Sequence, residues 1–361
     1  MAQHASRGLR DVEAVESSIT AITPEGLFFR GHSLASVLEH ATFEELAFVL
    51  WHDRRPTRDE LIAFRQLYVK CWLLPPEVVP TVTRLNPEAD PLWALQVAIP
   101  FLALADPERD DASLPAWHRR AIRLLAQAPA VVACRHWGMP VGRLDPATPL
   151  AAQVMRALGA KALPARVADA ALILYADHEL AASTFAARIA AAAHSDLHDG
   201  VSAGLAVLKG PLHGGSTVEV ANLLRRMVEA PHLPTAIDRL LVADDRVPGF
   251  GHTVYQSGDP RAVHFRRLAD QVATGEARRW IEAAEMLEQR LLRDRRLYAN
   301  VDLYGAVFMH AAGFRDDAMV AFFAVARVAG WIAHMLEQSN NNRLIRPRAR
   351  WTGVLGREWE P

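Results

Sequence analysis

Along most of this chain apolar residues recur at the three-and-four spacing of helices that bury one face. Thr42-Phe-Glu-Glu45 and Thr57-Arg-Asp-Glu60 have the capping-box pattern, and each opens an apolar run, Leu46 to Trp51 and Leu61 to Leu74. A helix is predicted to start at both. Pro80, Pro87 and Pro91 punctuate the next connection, after which Leu92 to Leu104 and Ala116 to Trp137 again read as helix, with a proline-containing break between them. From Leu163 to Lys209 alanine and other small residues dominate; they favour helix and close packing, which predicts two helices meeting near Asp199-Gly200. Trp280, Ala284, Leu287 and Leu291 mark the apolar face of a further amphipathic helix. Only the beginning departs. Val15 to Ile22 and Gly26 to Gly31 are short, rich in branched and aromatic residues and joined through Thr23-Pro-Glu, which predicts a two-stranded piece. The chain therefore reads as mainly α.

One stretch changes this picture. Ala318 to Leu336 is apolar for long enough to span a bilayer, but Arg327 sits at its middle and His334 near its end, each costly in lipid. It reads as a buried helix, and no membrane is expected. A charge at the centre of such a helix needs a partner, so Arg327 either neutralises an acidic residue or awaits an anionic ligand.

With 361 residues, 51% of them hydrophobic, the chain can build a large core and two domains. Its net charge of −1 gives no excess of basic residues, so no nucleic acid partner is expected. Lysine occurs only at Lys70, Lys161 and Lys209. The remaining positive charge is arginine, suited to forked recognition of carboxylates and phosphates, although codon bias gives the same skew. Cys71 and Cys134 have no metal spacing and fit a reducing, cytoplasmic setting; the first residues lack an apolar signal core.

The candidate chemistry centres on the loop Val247 to Ala262, where three glycines and two prolines break helix and let the backbone approach a ligand. It carries His252 and Arg261, which in a surface turn need have no role. His178, in Tyr175-Ala-Asp-His-Glu-Leu180, suits a core or boundary position equally well. His213 lies in Lys209-Gly-Pro-Leu-His-Gly-Gly215, before the amphipathic segment Val218 to Val228. Near that helix N-terminus a dipole would lower its basicity; otherwise the stretch is a glycine-rich connector. Asp302 stands among apolar residues, where a carboxylate becomes a raised-pKa base or simply caps a helix.

Taken together, these positions resemble the citrate synthase family. The matching segments are Ala176-Asp-His-Glu-Leu-Ala-Ala-Ser-Thr184, Ser195-Asp196, Leu208-Lys-Gly-Pro-Leu-His-Gly-Gly215, Gly249-Phe-Gly-His252, Asp259-Pro-Arg-Ala262, Asn300-Val-Asp-Leu-Tyr304, Arg327-Val-Ala-Gly-Trp331 and Arg343-Leu-Ile-Arg-Pro-Arg-Ala349. They follow in the family's order, and Gly8-Leu-Arg-Asp-Val12 and Phe43-Glu-Glu-Leu-Ala47 fit as well. Each is weak alone; in register they span almost the whole chain.

The resemblance implies an all-α, two-domain homodimer with a short N-terminal β-hairpin. Residues 1–212 and 307–361 would form the large domain and residues 213–306 a small mobile one. The implied reaction condenses acetyl-CoA or propionyl-CoA with oxaloacetate, giving citrate or 2-methylcitrate and CoA. Asp302 would be the base, His213 the donor to the enolate oxygen and His252 the group that polarises the oxaloacetate ketone. By family position His178, Arg261, Arg327 and Arg346 would bind oxaloacetate, with Arg346 reaching across from the neighbouring subunit. Val247, Gly249, Phe250, Gly251 and Phe323 would lie against CoA and its acyl group, although Phe323 suits the core equally well. Acyl-CoA is a co-substrate; no permanently bound cofactor and no metal are implied.

The sequence also departs from the family. Thr253 and Gln256 stand where basic residues that help to hold CoA phosphates are common. Ser216-Thr217 replaces the usual Ala-Asn, and Gly305 stands where Ser often follows the Asp motif. Arg266, Arg267, Arg343 or Arg350 could compensate. These departures keep open a divergent paralogue with another acyl-CoA or 2-oxoacid, or a weakly active protein used for ligand sensing or assembly. A further alternative is a metal module at His194-Ser-Asp-Leu-His198, whose imidazoles would lie one helical turn apart beside Asp199.

Overall fold

The computed structural model describes residues 12–86, 90–242 and 246–357, so Pro87 and most of the Gly8–Val12 motif lie outside the described residues. The first elements are β1 (Thr20–Thr23), β2 (Gly26–Phe29) and β3 (His32–Ser33), an antiparallel sheet in that order. The expected hairpin is present but starts five residues later than Val15 and gains a third short strand.

Helices follow. α1 (Leu34–His40) leads into α2 (Phe43–His52) and α3 (Arg58–Trp72), and both expected capping boxes are formed, Thr42 with Glu45 and Thr57 with Glu60. Each such cap is worth about 1 kcal/mol. α4 (Val78–Thr83) takes in Pro80, while Pro91 starts α5 (Pro91–Ala105), which Asp90 caps. Next come α6 (Leu114–Trp137) and α7 (Leu150–Ala157).

The small-residue stretch holds three helices rather than two: α8 (Ala165–Ala176), α9 (Ala182–Ala192) and α10 (Leu197–Leu208). α9 and α10 meet at residues 193–196, where His194 takes a positive φ of 64° and Asp196 caps α10. Gly200 lies inside α10, not at the junction. Small residues there serve close approach, since a Cβ on Gly204 would lie 2.8 Å from the Trp331 ring.

α11 (Ser216–Glu229), α12 (Leu233–Val242), α13 (Pro260–Val272) and α14 (Glu276–Arg295) come next, and α14 buries Trp280, Ala284, Leu287 and Leu291 as their spacing predicts. α15 (Val301–Ala311) and α16 (Asp316–Asn340) complete the order. The expected limits of the small domain thus fall in the turn before α11 and inside α15.

α16 is long and apolar enough to cross a membrane, yet the whole of its apolar window is buried in the fold. It packs against α2, α5, α6, α8, α9, α10 and α11, and it carries Arg327 and His334 inward.

Candidate active site

The C-terminus of α8 meets the middle of α16. The last carbonyls of a helix have no partner within it. Here the Tyr175 carbonyl accepts from Arg327 Nε at 2.7 Å. Phe323, one turn earlier on α16, places its ring centroid 4.8 Å from the guanidinium carbon. Arg327 is buried, and its Nη2 has no hydrogen-bond partner among the described residues. Burial lowers its pKa to about 10, with Asp177 opposing and Arg261 adding to that shift. Of the two expectations for this arginine, an unmet anion fits better: no described ion pair neutralises it.

Asp177 follows directly. Its Oδ2 accepts from the Thr20 hydroxyl at 2.5 Å and the Glu179 amide at 3.2 Å, with His334 Nε2 at 3.4 Å. Burial opposes its charge, but His334 and Arg327 outweigh it and hold the carboxyl below its ordinary value. Neighbouring His178 is buried, with Nε2 3.0 Å from the Tyr255 hydroxyl. Burial, then Arg261 and Arg327, keep its ring well below ordinary imidazole basicity.

Tyr255 belongs to the glycine-rich loop. Gly249 (φ 85°) and Gly251 (φ 77°) turn the backbone so that the Gly249 carbonyl accepts from the Asn300 amide at 2.9 Å and the Gly251 amide donates to the Tyr298 carbonyl at 2.9 Å. Phe250 bridges to Ala299. The loop is thereby fixed to the segment that leads into α15. The Nδ1 atom of His252 accepts from the amides of Val254 (3.0 Å) and Tyr255 (3.3 Å), so in the neutral ring the proton sits on Nε2. Burial and Arg261 lower its pKa to about 4, against the opposing pull of Asp259. The His252 ring lies 5.2 Å from that of His178.

Arg261 is already engaged. It forks onto Asp259 through Nε (2.9 Å) and Nη2 (2.7 Å), and both residues are buried. Asp259 also accepts from the Val301 amide at 3.1 Å, which ties the start of α13 to the start of α15.

His213 sits in the turn before α11, its Nε2 2.8 Å from the Ser183 hydroxyl, which in turn accepts from Trp331 Nε1 at 3.2 Å. Its ring faces Phe323 edge-on at 6.2 Å. Its pKa is lowered to about 4, first by burial and then by Arg327. Burial and Arg327 thus favour the neutral ring. On the first turn of α15, Asp302 accepts at Oδ1 from the Thr217 hydroxyl at 2.8 Å. Burial raises its pKa; Thr217, Ser216 and Arg261 oppose that rise.

Comparison with known proteins shows the family. A family model described as citrate synthase, C-terminal domain, matches residues 8–348. This chain belongs to the citrate synthase family. Citrate synthase 2 of Bacillus subtilis is 38% identical over 99% of this chain and 98% of its own length. 2-Methylcitrate synthase of Shewanella oneidensis is 30% identical over 98% and 96%. Among solved structures, the ternary complex of Thermoplasma acidophilum citrate synthase with carboxymethyl coenzyme A and oxaloacetate superimposes with a TM-score of 0.90 at 28% identity, covering 98% of this chain and 97% of that one. The helical fold and small sheet are those of citrate synthases.

The fold brings His178, His252, Arg261 and Arg327 to one place, with His213 and Phe323 beside Arg327 and Asp302 within electrostatic reach of Arg261. It does not bring Arg346 there. That residue is exposed beyond α16, on the rim of a cavity of about 1060 Å³ that Arg188 and Glu337 also line. Val247 and Phe250 are buried in the loop. Thr253 and Gln256 are exposed, and Arg266, one of the arginines that could compensate for them, is paired with Glu285. The metal alternative loses its geometry: His194 precedes α10 and lies beside Asn342, while buried His198 lies inside it. Among the described residues no three His, Cys, Asp or Glu side chains converge.

Sequence reasoning gave no role to Tyr255, Ser183, Asp177 or Asp259. Asp177, Ser183 and Asp259 lie inside the family-like segments, so a signal existed for them; Tyr255 lies between two such segments. What each touches depends on contacts far along the chain.

Proposed function

We propose that this protein condenses acetyl-CoA or propionyl-CoA with oxaloacetate and then hydrolyses the acyl-CoA product, releasing citrate or 2-methylcitrate and CoA. One observation carries the reading. A buried arginine with an Nη that has no partner among the described residues, Arg327, lies near His178 and His213, whose rings burial keeps neutral, and within electrostatic reach of Asp302, whose carboxyl burial raises; binding of a dianion and abstraction of a carbon-bound proton call for such groups.

Asp302 takes a proton from the carbon next to the thioester, and the electron pair moves into an enolate whose oxygen accepts a hydrogen bond from His213. The enolate carbon attacks the ketone carbon of oxaloacetate, forming the new C–C bond. His252, carrying its proton on Nε2, polarises and protonates the ketone oxygen. Water then cleaves the thioester and CoA leaves as the thiol. Arg327, His178 and the outer face of Arg261 hold the substrate carboxylates. Val247, Gly249, Phe250 and Gly251 line the CoA path, with Phe323 against the acyl group.

Residues 213–306 move as the smaller domain and close over residues 1–212 and 307–361, excluding water during condensation. The active unit is a homodimer in which Arg346 completes the neighbouring site. The exposed apolar residues Trp93, Phe101 and Leu104 on α5, and Leu344, Trp351 and Leu355 beyond α16, support a second copy as partner. Two unpaired cysteines, Cys71 and Cys134, fit the cytoplasm.

The test is product identity. Purified protein is incubated with oxaloacetate and either acetyl-CoA or propionyl-CoA, and the tricarboxylate formed is identified by mass spectrometry. Citrate or 2-methylcitrate, dependent on oxaloacetate, is expected. CoA release without a condensed product would replace this reading with thioester hydrolysis.

A further inference from the structure

Asp302 is fixed from one side by a residue that departs from the family pattern. Thr217 is fully buried on the first turn of α11, and its hydroxyl donates to Asp302 Oδ1 at 2.8 Å, across 85 positions of chain. The donor has no need to compete with water there, and a hydrogen bond to a carboxylate is among the stronger kinds. We propose that Thr217 is the positioning residue of the base: by occupying Oδ1 it fixes the rotation of the carboxylate and leaves Oδ2 as the oxygen that receives the proton. This rests on the reaction proposed above.

The surroundings leave this task to Thr217. On α15 itself, the Asp302 amide is spent on the Asn300 side chain. From α13, Arg261 faces the carboxyl but is forked onto Asp259. From α8 and α16, Tyr175 and Arg327 feel its charge. α14 contributes Glu285 and Glu288, which are held by Arg266 and Tyr304. From α11, Ser216 also favours the charged form, next to Thr217. Burial pushes Asp302 up and the two hydroxyls pull it back, and the first turns of α11 and α15 add the positive ends of two helices. Thr217 thus fixes where the carboxylate points, and together with Ser216 it lowers the pH at which the carboxyl ionises.

Thr217→Val keeps the shape and removes the donor; Thr217→Ser keeps the donor. The full-length variants are compared with wild type by pH profiles of kcat and kcat/KM for CoA release, with oxaloacetate binding measured in parallel. With valine, the acidic limb is expected to move up by about one pH unit and kcat to fall about tenfold or more. The oxaloacetate Kd should be unchanged and serine should restore both. Should the valine variant not fold, Thr217→Ala is compared with Thr217→Ser in the same way. An unmoved acidic limb in a folded donor-less variant overturns the proposal, as does loss of oxaloacetate binding with the limb in place. Absence of CoA release in wild type would instead overturn the proposed reaction.

Discussion

The hydroxyl of Tyr175 occupies the space that a side chain at position 305 would need: a Cβ on Gly305 would overlap it. That hydroxyl is buried and has no hydrogen-bond partner among the described residues, while the ring is held among Phe265 (4.8 Å), Phe323 (4.6 Å) and Phe322 (5.9 Å). The departure at Gly305 and the position of Tyr175 are one feature.

Gly305→Ala should therefore cost about 1–3 kcal/mol, because the tyrosine has no free direction in which to move. Tyr175→Phe removes the orphaned hydroxyl and should leave stability unchanged or raised. The double variant should be more stable than the two single changes add up to. Denaturant unfolding of the four proteins measures this; strict additivity would show that the two positions do not touch.

The sequence made legible whatever rests on local pattern. Thr42 and Thr57 announced their helices because a capping box lies within four residues. The spacing of Trp280, Ala284, Leu287 and Leu291 was read correctly because one face is buried. The junction between α9 and α10 was misplaced because it depends on His194 in a left-handed turn and Asp196 as a cap, neither visible in a run of small residues. His178, His213 and His252 were legible inside family-like segments. The Asp302–Thr217 and His213–Ser183 pairs were not, since each joins side chains brought together by the packing of separate helices.

The pH dependence follows from three groups. Burial lowers the pKa of His213 and His252 to about 4, so both rings are neutral from pH 6 to 8 and should place no limb in that range; in the proposed mechanism the acidic fall in kcat should belong to Asp302, whose pKa burial raises. Stability has its own sign. The unfolded chain binds protons to these histidines near pH 6.5 and the folded one only near 4. Their contribution is thus fully present above about pH 6.5 and is lost as pH falls toward 4, at most about 3 kcal/mol each. Thermal unfolding should show a Tm that falls from about pH 6.5 to 4.5; a Tm constant over that range would contradict it.

Arg327 separates binding from stability. Its charge is buried and only partly compensated, so Arg327→Met should leave the Tm unchanged or raise it. Removing the anion's partner should raise the oxaloacetate Kd by at least about 30-fold. Calorimetric titration and thermal unfolding of the same sample test both. A strongly destabilised variant that still binds oxaloacetate would show that Arg327 serves the fold.

The second copy can be tested by complementation. Arg346→Ala should weaken oxaloacetate binding while leaving folding and dimerisation intact. Arg346→Ala and Asp302→Asn should each have little activity. Refolded together in equal amounts, they should recover about a quarter of wild-type sites, because one site of each hybrid dimer has both residues intact. No recovery, with hybrids demonstrated, would place Arg346 in its own subunit's site or in none.

The most direct test compares wild type with Asp302→Asn for oxaloacetate-dependent release of CoA thiol, with oxaloacetate binding measured on the same samples. Wild type should turn over; the asparagine variant should bind oxaloacetate as tightly and release CoA about 10²–10⁴-fold more slowly. Release at the wild-type rate from the variant would contradict the assignment of Asp302 as the base on which the mechanism depends.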